Sequence, residues 1–355
     1  MDFFLSSGLA EALAGLVGGV LLGLAARRGR FCTLGALEDV LYARDWTRCR
    51  MWAMALGLSI VGVQLGTAAG AIDVQSSIYS TQVWDPIASI VGGLMFGYGM
   101  AIAGNCGFGA LARLGGGDIR AFVIVLVLGI SAYMTASGPL AFLRVALFPP
   151  TTRADAGGHN DYADHLGEIF GISPIIFGIL IAVPLIVWAV SNREFRTVSG
   201  NYIWSSLVSI AILIGWLSTT YIANVAFEPV RVESYTFSLP PGETILYLMT
   251  ASGGGLSFGV GSVAGVVIGA LIGCVSRGHF HWEACDDARE LGRHILGACL
   301  MGIGGVIALG CSIGQGLTAF STLAYSAPVM ALSITVGAIF GLRQLVEGLG
   351  SRASG

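Results

Sequence analysis

Apolar runs of similar length recur along the chain, near 3–26, 51–72, 87–105, 120–143, 172–190, 202–224, 255–275, 294–310 and 327–347. A helix needs roughly 20 such residues to cross about 30 Å of hydrocarbon, so the pattern predicts nine spanning helices. The polar links between the runs are unevenly charged. Six arginines fall between Arg27 and Arg50, Arg193 and Arg196 add two, and three lie from Arg277 to Arg293, whereas 73–86 has none and carries Asp73 and Asp85. The positive-inside rule then sets the N-terminus outside and the C-terminus, with Arg343 and Arg352, in the cytoplasm. The first run has no basic residue ahead of it and Arg27, Arg28 and Arg30 behind it. That is the reverse of a cleavable signal peptide and predicts a retained span. Two polar stretches, 144–170 and 225–244, are expected to be external loops. The acids and histidines of the first, His159, Asp161, Asp164, His165 and Glu168, match no standard zinc spacing, and no metal site is expected there.

Composition supports the membrane reading. Hydrophobic residues make up 55% of the chain, charged residues 11%, and mean hydropathy is +0.79; soluble domains carry roughly 25% charged residues. The expected fold class is an all-α polytopic membrane protein, one transmembrane domain over 1–355 with the lipid bilayer as its main partner. A net charge of −3 gives no reason to expect nucleic acid. The seven cysteines include no C-x-x-C pair, so neither a disulfide framework nor a redox motif is indicated, and no cofactor motif is found.

One motif is written twice. Gly92, Gly97, Gly99, Ala103, Cys106 and Gly109 recur as Gly297, Gly302, Gly304, Ala308, Cys311 and Gly314, each as far from its counterpart as Cys311 is from Cys106. The alternation of spans makes one copy run inward and the other outward, which predicts an inverted pseudo-two-fold repeat. One half occupies about 1–143, 144–171 is a linker and external loop, and the second half lies within 172–350. Inverted repeats bring equivalent points together near the midplane, where transporters bind substrate. Cys106 and Cys311 are therefore expected to face each other across a central route.

After each motif cysteine comes a stretch too polar or too glycine-rich to be a full span, Gly107 to Asp118 and Ser312 to Ser326. Each is expected to be a short re-entrant half-helix, whose free N–H groups and positive dipole end favour an anion. The candidate route is lined by Cys106 and Cys311 with Gly104, Asn105, Gly107, Gly109, Gly310, Ser312, Gly314 and Gln315, with Thr318 nearby. No charged residue interrupts either break. A thiol is a weak donor and a soft contact that avoids the cost of a fixed charge, which suits a sulfur-bearing anion. Cys32, at the end of Arg28-Gly-Arg-Phe-Cys32, is a third candidate on the inner side. Its faint echo at Arg277-Gly-His-Phe-His281 has no cysteine. Cys49, Cys274, Cys285 and Cys299 are expected to be packing or surface thiols.

These motifs, Arg28 to Cys32, Gly92 to Gly109 and Leu300 to Gly314, resemble the YeeE/YedE family of bacterial inner-membrane proteins from the first span to the last. The resemblance implies uptake of thiosulfate along an hourglass-shaped path. Cys32, Cys106 and Cys311 would contact the ion in turn through S–H to sulfur interactions. It also implies a small cytoplasmic sulfur-carrier partner of the TusA type. Asn105 stands where the family often has glycine. The competing expectation is a membrane thiol-disulfide oxidoreductase passing electrons between Cys106 and Cys311. A metal permease is disfavoured because the spans lack the carboxylates and histidines that such cations need.

Overall fold

The computed structural model describes residues 7–149, 161–171, 173–226, 229–251, 255–278, 280, 282–283 and 287–350; His159, His279, His281, Cys285 and Arg352 lie outside them. Nine long helices cross the molecule: α1 (Ser7–Arg28), α2 (Thr47–Ala68), α3 (Pro86–Ala103), α4 (Ile119–Ala136), α5 (Pro174–Ser191), α6 (Ser199–Val225), α7 (Phe258–Val275), α8 (Ala288–Ile307) and α9 (Ser326–Gly350). Each falls on one of the nine apolar runs. Among the described residues these nine are long and apolar enough to span a membrane, and there is no β-structure beyond isolated bridges. The protein is a multi-pass, all-α membrane protein. Large apolar side chains such as Phe142, Leu180, Tyr221 and Phe340 point outward, as they must where the surrounding solvent is lipid.

Glycine decides which helices touch. Lipid tails give helices no hydrophobic reason to associate, so close backbone approach through small residues takes over. Gly15, Gly19 and Gly23 of α1 interleave with Gly261, Gly265 and Gly269 of α7. A Cβ at Gly19 would stand 2.6 Å from the Ser262 carbonyl oxygen. At the centre, α3 and α8 pack in the same way but antiparallel. A Cβ at Gly92 would lie 2.6 Å from Gly304 O, and one at Gly297 would lie 2.6 Å from Gly99 O. The two contacts are reciprocal, because Gly297 is the motif counterpart of Gly92 and Gly304 that of Gly99. The outer neighbours repeat the relation: Gly97 abuts Ile334 O of α9, and Gly302 lies against Leu128 O of α4.

Short helices fill the links. Thr33–Glu38 continues into a π-wound turn, Asp39–Ala43; Gly107–Leu114 follows α3; Pro240–Thr250 precedes α7; and a π-wound turn, Gly314–Ala319, follows α8. The stretch expected as an external loop at 144–170 contains helix Tyr162–Phe170 and the end of helix Pro139–Leu147. The other expected loop, 225–244, departs further from expectation. Its part 232–239 runs extended into the interior, where Tyr235 and Phe237 are fully buried. Its polar atoms make this possible by bonding to helix backbones: Ser234 Oγ donates to Ile212 O over 2.9 Å, and Tyr235 OH to Ala14 O and Gly15 O, both over 3.0 Å. A buried chain is tolerated when such partners exist.

Candidate functional site

Two cavities enter the helix bundle from opposite faces. One, of about 630 Å³, opens on the arginine-rich face and is lined by Cys32, Gly104, Asn105 and Gly109 with Arg27, Arg30, Arg48, Arg113 and Arg277. Three acids, Glu38, Asp118 and Glu283, share its wall, so the cavity is net positive by charge count. The other, of about 720 Å³, lies on the opposite face and pairs Arg144 and Arg231 with Glu233 and Glu243. Neither cavity is lined by Cys106 or Cys311. Those thiols are 0 % and 1 % exposed, at a closed waist.

The waist is built from two breaks with the same backbone. α3 stops where Gly104 takes φ +71°, and the motif counterpart of Gly104, Leu309, takes φ +55°. Glycine enters this left-handed region freely, whereas leucine is strained there. Gln315 holds the strained copy in place. Its Nε2 donates to Ala308 O (3.1 Å) and Leu309 O (3.2 Å), and its Oε1 accepts from Ser326 Oγ (3.0 Å). The amide of this expected route residue is thus engaged as a strut.

Each motif cysteine then caps the helix that follows. Cys106 Sγ accepts the Gly109 N–H over 3.3 Å and Cys311 Sγ the Gly314 N–H over 3.3 Å. Used this way as an acceptor, each sulfur keeps its own S–H proton to donate. Cys311 Sγ also accepts the Phe237 N–H over 3.1 Å and lies 3.7 Å from Thr236 Oγ1. The Cys106 thiol is within electrostatic reach of both Cys32 and Cys311 and faces Ser312. The Ser312 hydroxyl has no partner at normal hydrogen-bond distance although its oxygen is buried.

The remaining candidates divide. Gly107 admits the Phe237 carbonyl, which a Cβ would meet at 2.5 Å, and Gly314 admits Thr236 Oγ1. Gly310 packs on the Gln315 side chain. Thr318 Oγ1 donates to Tyr235 O over 2.7 Å and ties the waist to the buried extended segment. Cys49 donates to Ala36 O and Cys274 is buried, away from either break. Sequence reasoning missed the segment 232–239, the second wall of the waist. Its serines and threonine read as solvated loop, and only the density of aromatics at Tyr235 and Phe237 hinted otherwise.

On the second cavity, burial pushes the Glu233 carboxyl up to about 8; the nearby Glu243 and Glu11 charges add to this and Arg231 opposes it. Burial raises Glu243 as well, against Arg231 and a hydrogen bond from Ser257.

Comparison with known proteins adds two kinds of finding. The model of the family described as Sulphur transport matches residues 28–340. The chain is 26% identical over 329 residues to a protein of Spirochaeta thermophila named thiosulfate transporter TsuA, covering 91% of this chain and 96% of that one. It is 27% identical over 327 residues to a protein of the same name from Escherichia coli K12, covering 86% of each.

Proposed function

Since the chain belongs to the sulphur transport family, and is therefore a membrane transporter and not an enzyme, we propose that it takes up thiosulfate across the bacterial inner membrane. The anion enters the cavity bearing Arg231 and passes Cys311 and then Cys106 at the waist. It leaves past Cys32 into the arginine-rich cavity. In this reading the two halves of the chain form an inverted repeat, supported by the reciprocal Gly92–Gly304 and Gly99–Gly297 contacts. The arginine-rich face is cytoplasmic, with the N-terminus outside and the C-terminus inside.

The observation that carries the proposal is the closed waist: two buried thiols, each accepting the cap hydrogen bond of a short helix, with no fixed charge beside them among the described residues. A dianion held by thiols and helix N-termini is bound softly enough to leave again. A buried arginine there would hold it as an ion pair. The positive inner cavity then draws the ion onward. A TusA-type carrier waiting at that face would receive the sulfur, and co-purification from cells grown on thiosulfate tests that partner. Membership in a transport family weighs against the thiol-disulfide oxidoreductase reading.

The deciding experiment is uptake of labelled thiosulfate into proteoliposomes, with sulfate, sulfite and selenite as competitors. Uptake competed by excess unlabelled thiosulfate and not by sulfate is expected. Equal competition by sulfate would remove the argument from thiol softness.

A further inference from the structure

The three cysteines give a lopsided route. Two sit at the waist, one faces the arginine-rich cavity, and nothing in the motif serves the opposite side. The reciprocal packing of the two halves shows where a fourth position belongs. Gly97 meets Ile334 and Ala338 of α9, while its counterpart Gly302 meets Leu128 and Ala132 of α4. Ile334 and Ala338 stand 206 positions after Leu128 and Ala132. The same step carries Phe31 onto Phe237 and Cys32 onto Ser238. Each dipeptide comes just before a short helical piece of the same length, Thr33 to Ala43 immediately after Cys32 and Pro240–Thr250 one residue after Ser238. The echo at Arg277 to His281 is therefore not the counterpart of the Cys32 turn; the buried segment is.

The surroundings of Ser238 agree with this register. The backbone N–H of Phe237, beside it, donates to Cys311 Sγ over 3.1 Å, and its ring lies tilted against Phe108 with centroids 5.4 Å apart. Leu239, on its other side, lines the cavity of Arg231 and Glu233. Ser238 is thus flanked by a residue that lines that cavity and one that bonds Cys311, with its Cβ packed against Gly305 of α8, while Cys32 itself lines the inner cavity. Its side chain is 3 % exposed. Its hydroxyl lies 3.5 Å from Thr236 Oγ1, at the edge of hydrogen bonding, so the proton is available to a stronger acceptor.

We infer that Ser238 is the fourth station of the route, the hydroxyl that receives the sulfur oxyanion from the outer cavity and passes it to Cys311. The inference rests on the transport reading above. Oxygen at the entry and sulfur at the three later positions give the route a direction of increasing softness. A hydroxyl hydrogen-bonds oxyanion oxygens well and holds sulfur weakly, so it admits the ion without trapping it.

The test is labelled thiosulfate uptake into proteoliposomes by wild type, Ser238→Ala and Ser238→Cys, with melting temperature recorded for each. Ser238→Ala is expected to raise KM about tenfold, the loss of one hydrogen bond to a charged group, at an unchanged melting temperature. Ser238→Cys restores a donor of similar size and is expected to return KM to the wild-type value or below it. An unchanged KM in Ser238→Ala overturns the inference, and so does a KM raised equally in both variants, which would make the position one of packing. If Ser238→Ala does not fold, Ser238→Gly takes its place as the variant without a donor and is read by the same criterion. Wild type that takes up no thiosulfate defeats the transport reading instead, before Ser238 is at issue.

Discussion

The backbone N–H of Phe237 donates to the sulfur of Cys311 over 3.1 Å, joining two segments that lie 74 residues apart. The bond fixes where the thiol points and brings the extended segment into the waist. Cys311 and Cys106 can be probed together on this basis. Replacing either with alanine removes a thiol and one cap acceptor, at a stability cost of about 1 kcal/mol, and at Cys311 it also leaves the buried Phe237 N–H unmet at about 1–3 kcal/mol more. The folded protein should therefore persist in detergent while thiosulfate uptake falls by more than about tenfold, a change worth only ~1.4 kcal/mol in binding. Full uptake by both variants, measured at equal expression, would remove the cysteines from the mechanism.

Gln315 gives a different signature. Its amide satisfies the carbonyls of Ala308 and Leu309 and accepts from Ser326. Gln315→Ala leaves those buried groups unmet at about 1–3 kcal/mol. A drop in melting temperature should accompany any loss of uptake. Loss of uptake with no change in melting temperature would mean that the amide contacts substrate.

The α3–α8 contact can be tested by volume. Gly92→Val sets a branched side chain against Gly304 O, which even a Cβ would approach to 2.6 Å, and overpacking of that kind costs about 1–3 kcal/mol. Gly297→Val should cost a similar amount, since it makes the reciprocal contact. Gly292→Ala, with open space around it, is the control and should leave the melting temperature unchanged or slightly higher. Thermal unfolding in detergent, followed by tryptophan fluorescence, reads all three.

In the proposed orientation, uptake should depend on external pH through Glu233, which faces Glu243, Glu11 and Arg231. Burial is the main cause that raises its carboxyl to about 8. An acid with a raised value is neutral below it and charged above it, so the outer cavity gains a negative charge as pH rises from 7 to 9. At about 8 Å in water one such charge opposes a dianion by ~1 kcal/mol, and the KM for thiosulfate should rise about fivefold. Glu233→Gln should flatten that rise. A KM equally pH-dependent in the variant would point to Glu243 or another group.

Much of this could be read before any coordinates. The nine spans are visible because a hydrocarbon layer demands runs of a set length. The doubled glycine-cysteine motif is visible because close packing at the centre admits only the smallest residue. The same reasoning misplaced 225–244, and it gave Gln315 as a candidate lining residue, with Thr318 nearby, although Gln315 Nε2 and Thr318 Oγ1 are spent on backbone carbonyls. In each case polarity was recognised correctly and its partner was not. A serine or glutamine satisfied by a buried carbonyl has the same letter as one facing water.

Taken by itself, then, the sequence determined the membrane class and the number of crossings, and it singled out the two cysteines of the repeated motif, since all three follow from length, period and repetition. Tertiary structure decided which glycines meet and that Phe237 and Thr236 reach Cys311. Those relations join positions far apart in the chain, and each depends on a hydrogen bond or a backbone contact that no local pattern encodes.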